Sequence, residues 1–212
     1  MSKKIFVVGG AYYYTNWIKD HELVHDVKSA DIVFFTGGED VDPSMYGCKN
    51  LNAFSNIARD IEEKAVFEEA VKNKTKLILG VCRGSQFLCV MNGGMLIQDC
   101  GNHAMFGTHE IVYGNKIYEI TSTHHQMQYP FNLSKDKYNI LAYPPMRRSR
   151  HYIVDENKQD IRKIEVEPEI VVYNTSKKTK SLAIQGHPEM MRESPIHEML
   201  NDLIDKILNE NA

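Results

Sequence analysis

The sequence predicts an α/β fold: a mostly parallel central sheet flanked by helices, with extra short antiparallel strands in the second half. Short apolar runs rich in β-branched and aromatic residues, "KIFVVG", "DIVFFTGG" and "KLILGVC", each stop at or near glycine. Helical patterns follow the second and third runs, the alternation expected of a parallel sheet covered on both faces. After residue 110 the pattern changes to short alternating segments that read as strands and hairpins.

In chain order, the first helix is "NIARDIEEKAVFEEAVKNK". Ile57, Ile61, Ala65, Ala70 and Val71 recur there at the spacing of an amphipathic helix, with acids early and lysines late as the dipole prefers. The run "KLILGV" reads as a buried strand and "RGSQFLCVMN" as a helix ended by "GG". "HEIVYGNKIYEITST", "RHYIVDEN", "IRKIEVEPEIVVYNTS" and "KSLAIQGHPE" read as strands, and the stretch from Lys135 to Asp160 is the most loop-like. The chain closes on "SPIHEMLNDLIDKILNEN", with Ser194 as N-cap, Pro195 as first helical residue, and a core-facing stripe of Ile196, Met199, Leu200, Leu203, Ile204, Ile207 and Leu208.

With 212 residues and 42% hydrophobic content, the chain is long enough for one sizeable core, and one domain over residues 1–212 is expected. No apolar run approaches the roughly eighteen residues of a membrane helix, and no signal-peptide pattern opens the chain, so a cytoplasmic protein without a membrane partner is expected. Cys48, Cys82, Cys89 and Cys100 form no CxxC pair and no zinc-like spacing. A formal charge of −3 offers no electrostatic footprint for nucleic acid, and nothing in the sequence specifies an oligomeric state.

Cys82 sits between the third strand pattern and the helix after it, with Gly80 and Gly84 keeping bulk away, which is the layout of a nucleophile elbow. A thiol at a helix N-terminus feels the positive end of the dipole, which favours thiolate. A cysteine nucleophile needs a base and a group to orient it, and "SLAIQGHPEM" offers both. Pro188 restricts His187 at the end of a strand, and Glu189 stands two residues on. Oxyanion donors are available from the amide of Arg83 and from Gly37 and Gly38, which end an earlier strand at the same carboxyl edge. Cys89, Cys100 and Cys48 read as structural thiols. His103 and His109 in "GNHAMFGTHE" find no acid or cysteine that completes a binding pattern, so core or loop histidines are expected and no metal site.

The segments "TGGEDVDPSMYG", "RDIEE", "GVCRGSQFLCVMNGGMLIQD", "STHHQ" and "QGHPE" occur in an order and spacing that resembles the class I glutamine amidotransferase-like superfamily. They are most similar to its γ-glutamyl hydrolase branch, the peptidase C26 group. The resemblance runs from about Asp31 to Glu189 and implies a flavodoxin-like sheet and a Cys82-His187-Glu189 triad. It implies an oxyanion hole from the amides of Gly38 and Arg83, and a pocket for a γ-glutamyl group lined by Gly37, Gln86, Ser122, His124 and Gln126. The implied reaction passes through a γ-glutamyl thioester and needs no cofactor. The family usually carries an aromatic residue where Gly186 precedes His187, and this chain is shorter before "TGG".

The implied partner is a small-molecule γ-glutamyl substrate. Arg147 and Arg148 lie in a basic loop, "YPPMRRSRHYIV", and arginine forks suit phosphate oxygens, so a nucleotide-bearing leaving group would use them; a solvated loop is the plainer reading. Two other roles compete with a free-standing hydrolase. One is a glutaminase subunit delivering ammonia to a synthetase partner, and the other is a non-catalytic binding module.

Overall fold

The three glycine-stopped runs form neighbouring strands in the computed structural model, which describes residues 2–154 and 164–210. They are β1 (Lys3–Val7), β3 (Ile32–Phe35) and β4 (Leu77–Val81), and the short β2 (His21–Leu23) lies beside β1. The first run is followed by 3-10 turns at Val8–Gly10 and Tyr12–Thr15, whereas the second and third lead to α1 (Ile57–Lys72) and α2 (Arg83–Met91). Next come β5 (Met95–Ile97), β6 (Asp99–Cys100), the hairpin β7 (Ala104–Tyr113) and β8 (Lys116–Thr123), and β9 (Met127–Tyr129). The remaining elements are β10 (Tyr138–Tyr143), β11 (Tyr152–Ile153), β12 (Ile170–Tyr173), β13 (Lys180–Ile184) and α3 (Pro195–Glu210).

Nine strands make one sheet in the order β2-β1-β3-β4-β13-β12-β10-β7-β8. Neighbours run parallel from β2 to β13 and antiparallel from β13 to β8, so the predicted α/β sheet with antiparallel additions is the observed one. Every position of β3 and β4 is buried, as a strand covered on both faces requires. Phe34, Leu77, Leu79 and Val81 pack with the α3 stripe of Ile196, Met199, Leu200, Leu203, Ile204 and Ile207, and Leu208 is partly buried beside it. The alternate residues Val33, Phe35 and Ile78 pack with Phe67, Ala70, Phe87 and Leu88 of α1 and α2. Among the described residues no helix is long and apolar enough to cross a membrane.

Two expectations are corrected. The predicted apolar positions of α1 mark its inner face only at the C-terminal end: Ile57, Ile61 and Ala65 are exposed, Ala70 is buried and Val71 partly so, while the first turns bury Asp60, Glu63 and Phe67. Asp60 and Glu63 turn inward because the guanidinium of Arg83 waits beneath them. The polar stretch Lys135–Asp160 is not all loop, since it supplies β10, a strand inside the sheet between β12 and β7. Of the segments "RHYIVDEN" and "IRKIEVEPEIVVYNTS", residues 155–163 lie outside the described part of the chain.

Gly80 and Gly84 are where β4 and α2 nearly touch. A Cβ on Gly84 would lie 2.2 Å from the carbonyl oxygen of Phe35, and one on Gly80 would lie 2.5 Å from the carbonyl oxygen of Gly84. Backbone stands on both sides, so neither clash is relieved by a rotamer change. Gly84→Ala is expected to destabilise the protein by about 1–3 kcal/mol, the usual cost of overpacking. An unchanged urea midpoint would refute this close approach.

Candidate active site

Cys82 leaves β4 and enters α2 with φ 52° and ψ −112°, a conformation that non-glycine residues seldom hold and one that costs about 1–3 kcal/mol. Its amide donates to the carbonyl of Ile184 at 2.9 Å, and its carbonyl accepts from the amides of Ser85 and Gln86 as α2 begins. The turn thus lifts the thiol to the carboxyl edge of the sheet at the head of a helix. Arg83 follows as the first residue of α2, where a helical amide has no intrahelical acceptor.

The strands on either side of β4 bring the other predicted groups to the same edge. On the β13 side, His187 follows Gln185 and Gly186, and its amide donates to Thr121 Oγ1 at 2.6 Å. The Pro188–Met190 turn is fastened by His197, whose Nε2 donates to the carbonyl of Pro188 at 2.9 Å. His187 Nδ1 and Glu189 Oε1 are 2.6 Å apart, and the Cys82 side chain is near enough to influence the charge of the ring. Burial works against a charged ring here, but the hydrogen bonds and negative charges of Cys82 and Glu189 prevail and push the His187 pKa up to about 10. The His187 ring therefore keeps its proton near neutrality.

On the β3 side, Gly37 and Gly38 follow Thr36. A Cβ on Gly37 would meet Tyr14 Oη at 2.6 Å and His187 Cε1 at 3.1 Å, so the glycine loop presses against the imidazole. Gly38 has φ +145°, and a side chain there would collide with Arg59 Nη1 at 2.2 Å. Cys82, His187 and the glycine turn thus stand at the ends of three adjacent parallel strands, with the cysteine in the middle.

A family model described as Peptidase C26 matches residues 7–189. The chain belongs to the peptidase C26 family. It is 30% identical to the glutamine amidotransferase-like protein YvdE of Lactococcus lactis, over 83% of this chain and 73% of that one. It is 27% identical to NtpR of Enterococcus hirae, over 79% of this chain and 70% of that one. The fold is that of a glutamine amidotransferase from Thermotoga maritima, with a TM-score of 0.53, 15% identity, and coverage of 97% of this chain and 85% of the other. As a peptidase C26 protein it is an amide-hydrolysing enzyme of the class I glutamine amidotransferase-like superfamily.

In this peptidase C26 chain the motif "RDIEE" has a structural task that its sequence did not reveal. Arg83 is 1% exposed, and its guanidinium donates to Asp60 Oδ1 and Glu63 Oε2 while lying over the Phe87 ring. Arg59 donates to Glu63 Oε1 at 2.8 Å, to Glu39 Oε2 at 2.6 Å and to the Gly37 carbonyl at 3.1 Å. One ionic chain therefore ties Arg83, the residue after Cys82, to the glycine turn. Tyr14 was also not anticipated. It is a buried ring from the turn after β1, 6.2 Å from His187 between ring centroids, and only its place behind a glycine-ended strand hints at it in the sequence.

The remaining predicted pocket residues divide. Gln86 Nε2 donates to the Gln126 carbonyl at 3.0 Å, and the buried Gln126 side-chain amide has no hydrogen-bond partner, so this peptidase C26 site keeps an unused donor and acceptor there. Ser122 Oγ is spent on the His103 carbonyl at 2.7 Å. His124 is turned inward, its Nδ1 donating to the Gln126 carbonyl at 2.8 Å, and it is His125 that is partly exposed, with Nε2 3.0 Å from both Asp40 oxygens. Arg147 donates to the Ile164 carbonyl and lies over the Tyr152 ring; Arg148 donates through its amide to Glu167 Oε2 at 2.8 Å and through Nη2 to the Asn102 carbonyl at 3.1 Å. These contacts anchor the basic loop to the protein.

The expectation for His103 and His109 is corrected in part: both are buried, as core histidines should be. His103 and His109 do have acid partners: Glu169 Oε1 is 2.9 Å from His109 Nε2 and 3.6 Å from His103 Nδ1, and Glu167 Oε2 is 3.3 Å from His103 Nε2. The acids come from the start of β12, some sixty residues downstream, where no local spacing rule would find them.

Proposed function

We propose that the protein is a γ-glutamyl amide hydrolase in which residues 1–212 act as one catalytic domain with a Cys82-His187-Glu189 triad. The observation that supports this reading is the imidazole of His187, bonded to Glu189, near Cys82 and pressed against the glycine turn. Cys82 Sγ adds to the γ-carbonyl, and the amides of Gly38 and Arg83 receive the oxyanion. His187 gives its proton to the leaving nitrogen as the C–N bond breaks, leaving a γ-glutamyl thioester. Water, deprotonated by His187, then releases glutamate and restores the thiolate. In this reading Gln126, with its unpartnered side-chain amide, and Gln86 define the γ-glutamyl pocket. These steps use side chains and main-chain amides alone.

The leaving group we favour carries a nucleotide, as in γ-glutamyl-CDP-amidate of capsular phosphoramidate assembly, because the exposed Arg147 and the partly buried Arg148 belong to a basic loop. Arg147→Ala with Arg148→Ala is expected to raise KM for that substrate about tenfold, the loss of one charge-assisted hydrogen bond. Hydrolysis of a γ-glutamyl anilide should be unaffected, and equal losses on both substrates would remove the arginines from the site. The reaction class itself is tested by measuring glutamate release from glutamine, γ-glutamyl peptides and γ-glutamyl nucleotide amidates side by side. Turnover of glutamine alone, or only with an added synthetase, would replace the hydrolase with a glutaminase subunit.

Iodoacetamide is expected to modify Cys82 much faster than Cys48, Cys89 and Cys100 at neutral pH. Cys89 is the sharpest contrast, because complete burial pushes its thiol up to about 12. Uniform slow labelling would oppose an activated nucleophile. The linked stability has a definite sign. The folded pKa of His187 is raised, so its contribution is complete below about 6.5, the unfolded value, and is lost as the pH climbs towards 10.

A further inference from the structure

Away from Cys82, the antiparallel half of the sheet holds a buried group of imidazoles and carboxylates that the hydrolytic steps do not use. His103 and Glu169 are 0% exposed and His124 is 3% exposed. They come from three separate places: the residue before β7, the segment between β8 and β9, and the residue before β12. One ligand atom from each lies within 4.8 Å of the others.

The outer hydrogen bonds of these side chains decide which atoms face inward. His124 Nδ1 donates to the Gln126 carbonyl, so the neutral ring presents an unprotonated Nε2, which has no hydrogen-bond partner and lies 3.9 Å from Glu169 Oε1. His103 Nε2 faces Glu167 Oε2 at 3.3 Å, which leaves Nδ1 on the Glu169 side. Glu167 is itself held by the amides of Arg148 and Ser149 and by the Tyr152 hydroxyl. His109 Nε2 donates to Glu169 Oε1 at 2.9 Å, while Glu169 Oε2 is buried without a partner. Ligating histidines ordinarily direct their other nitrogen to a carboxylate or carbonyl, and ligating carboxylates are ordinarily hydrogen-bonded from outside. His124, Glu167 and Glu169 have such outer hydrogen bonds and His103 Nε2 has Glu167 close by, whereas His124 Nε2, His103 Nδ1 and Glu169 Oε2 lack hydrogen-bond partners.

We propose that His103 Nδ1, His124 Nε2 and Glu169 bind a divalent metal ion of the zinc class, with Glu167 and His109 as supporting residues. Two nitrogens and a carboxylate oxygen suit such an ion, and a water completes four-coordination. The edge of a tetrahedral zinc site is about 3.4 Å, so contraction from the present spacing takes small rotations of the rings. The ion would fasten β7 and β12 to the segment carrying Gln126, whose carbonyl holds Gln86 of α2, and its role is structural.

The test is a Co²⁺ titration of untagged, chelator-stripped protein carrying Cys82→Ser, so that the thiol at the elbow cannot bind the probe. One Co²⁺ per chain is expected, with the visible absorption of a four-coordinate ion, no thiolate charge-transfer band, and bleaching by Zn²⁺. Glu167→Gln should weaken binding about tenfold to hundredfold, and His124→Ala by more. Failure of the Cys82→Ser protein to bind Co²⁺ stoichiometrically would overturn the proposal, as would a thiolate band or undiminished binding by His124→Ala. Should His124→Ala not fold, the titration of the Cys82→Ser protein decides the matter by itself. In that failed case, a proton shared by His103 with Glu167 and Glu169 takes the place of the ion.

Discussion

Replacing Cys82 with glycine is expected to abolish glutamate release and to leave a protein more stable than the corresponding alanine variant. The first half follows from the proposed role of the thiol, since removal of a triad nucleophile costs about four orders of magnitude in rate or more. The second half follows from the dihedral angles. At φ 52° and ψ −112° a residue with a Cβ carries about 1–3 kcal/mol of strain. Glycine escapes that strain and costs about 0.5–1 kcal/mol in chain entropy, so the balance favours glycine over alanine. Urea unfolding of the two variants, with glutamate release measured on the same preparations, checks both halves. A glycine variant less stable than alanine would contradict the strained elbow, and hydrolysis within tenfold of the parent would remove Cys82 from the chemistry. A stability gain on loss of activity would mean that the fold bears a cost to present this thiol.

Arg83→Met is expected to cost about 3–5 kcal/mol, because it leaves Asp60 and Glu63 buried without their main counter-charge. Burial already pushes the Asp60 carboxyl above the usual carboxylate range even with Arg83 beside it, and removing the guanidinium takes away what opposes that. Set against a total stability of about 5–15 kcal/mol, this brings the protein close to unfolding near body temperature. Adding Asp60→Asn and Glu63→Gln should recover part of the loss, since neutral amides avoid the buried charge. Glu63 would still lose its bond to Arg59, so recovery is incomplete. Differential scanning calorimetry of the single and triple variants measures both effects. A loss below 1 kcal/mol for Arg83→Met would mean that water reaches Asp60 and Glu63.

Apolar runs and glycines carried most of the fold in the sequence. β1, β3, β4, β13 and α3 were legible because hydrophobic burial dominates in each, and the period of the pattern is the period of the contact. α1 was misread for the opposite reason: its inner face is partly ionic, set by Arg83 more than twenty positions away, and no apolar periodicity records that. β10 was hidden by the polar residues around it. At the site, Cys82, His187 and the glycine turn were legible because each ends a strand in a distinctive dipeptide, and the parallel sheet brings strand ends together. The choice between His124 and His125 was not legible, since adjacent residues point oppositely and only the sheet register says which is inside. The carboxylates beside His103 were hidden by sequence distance alone.

Gly186, the family departure before His187, closes a different argument. A Cβ there would stand 2.4 Å from Ile120 Cγ1 and 2.7 Å from the Thr121 carbonyl oxygen, so β8 already occupies the space an aromatic ring would need. Positions 186 and 120 are thus one decision written in two places. An aromatic residue at 186 is compatible only with a smaller residue at 120 and a withdrawn strand edge, and either change alone passes through a collision or a cavity. Enlargement of residue 186 is therefore a paired event, and a library that enlarges 186 without shrinking 120 samples only collisions.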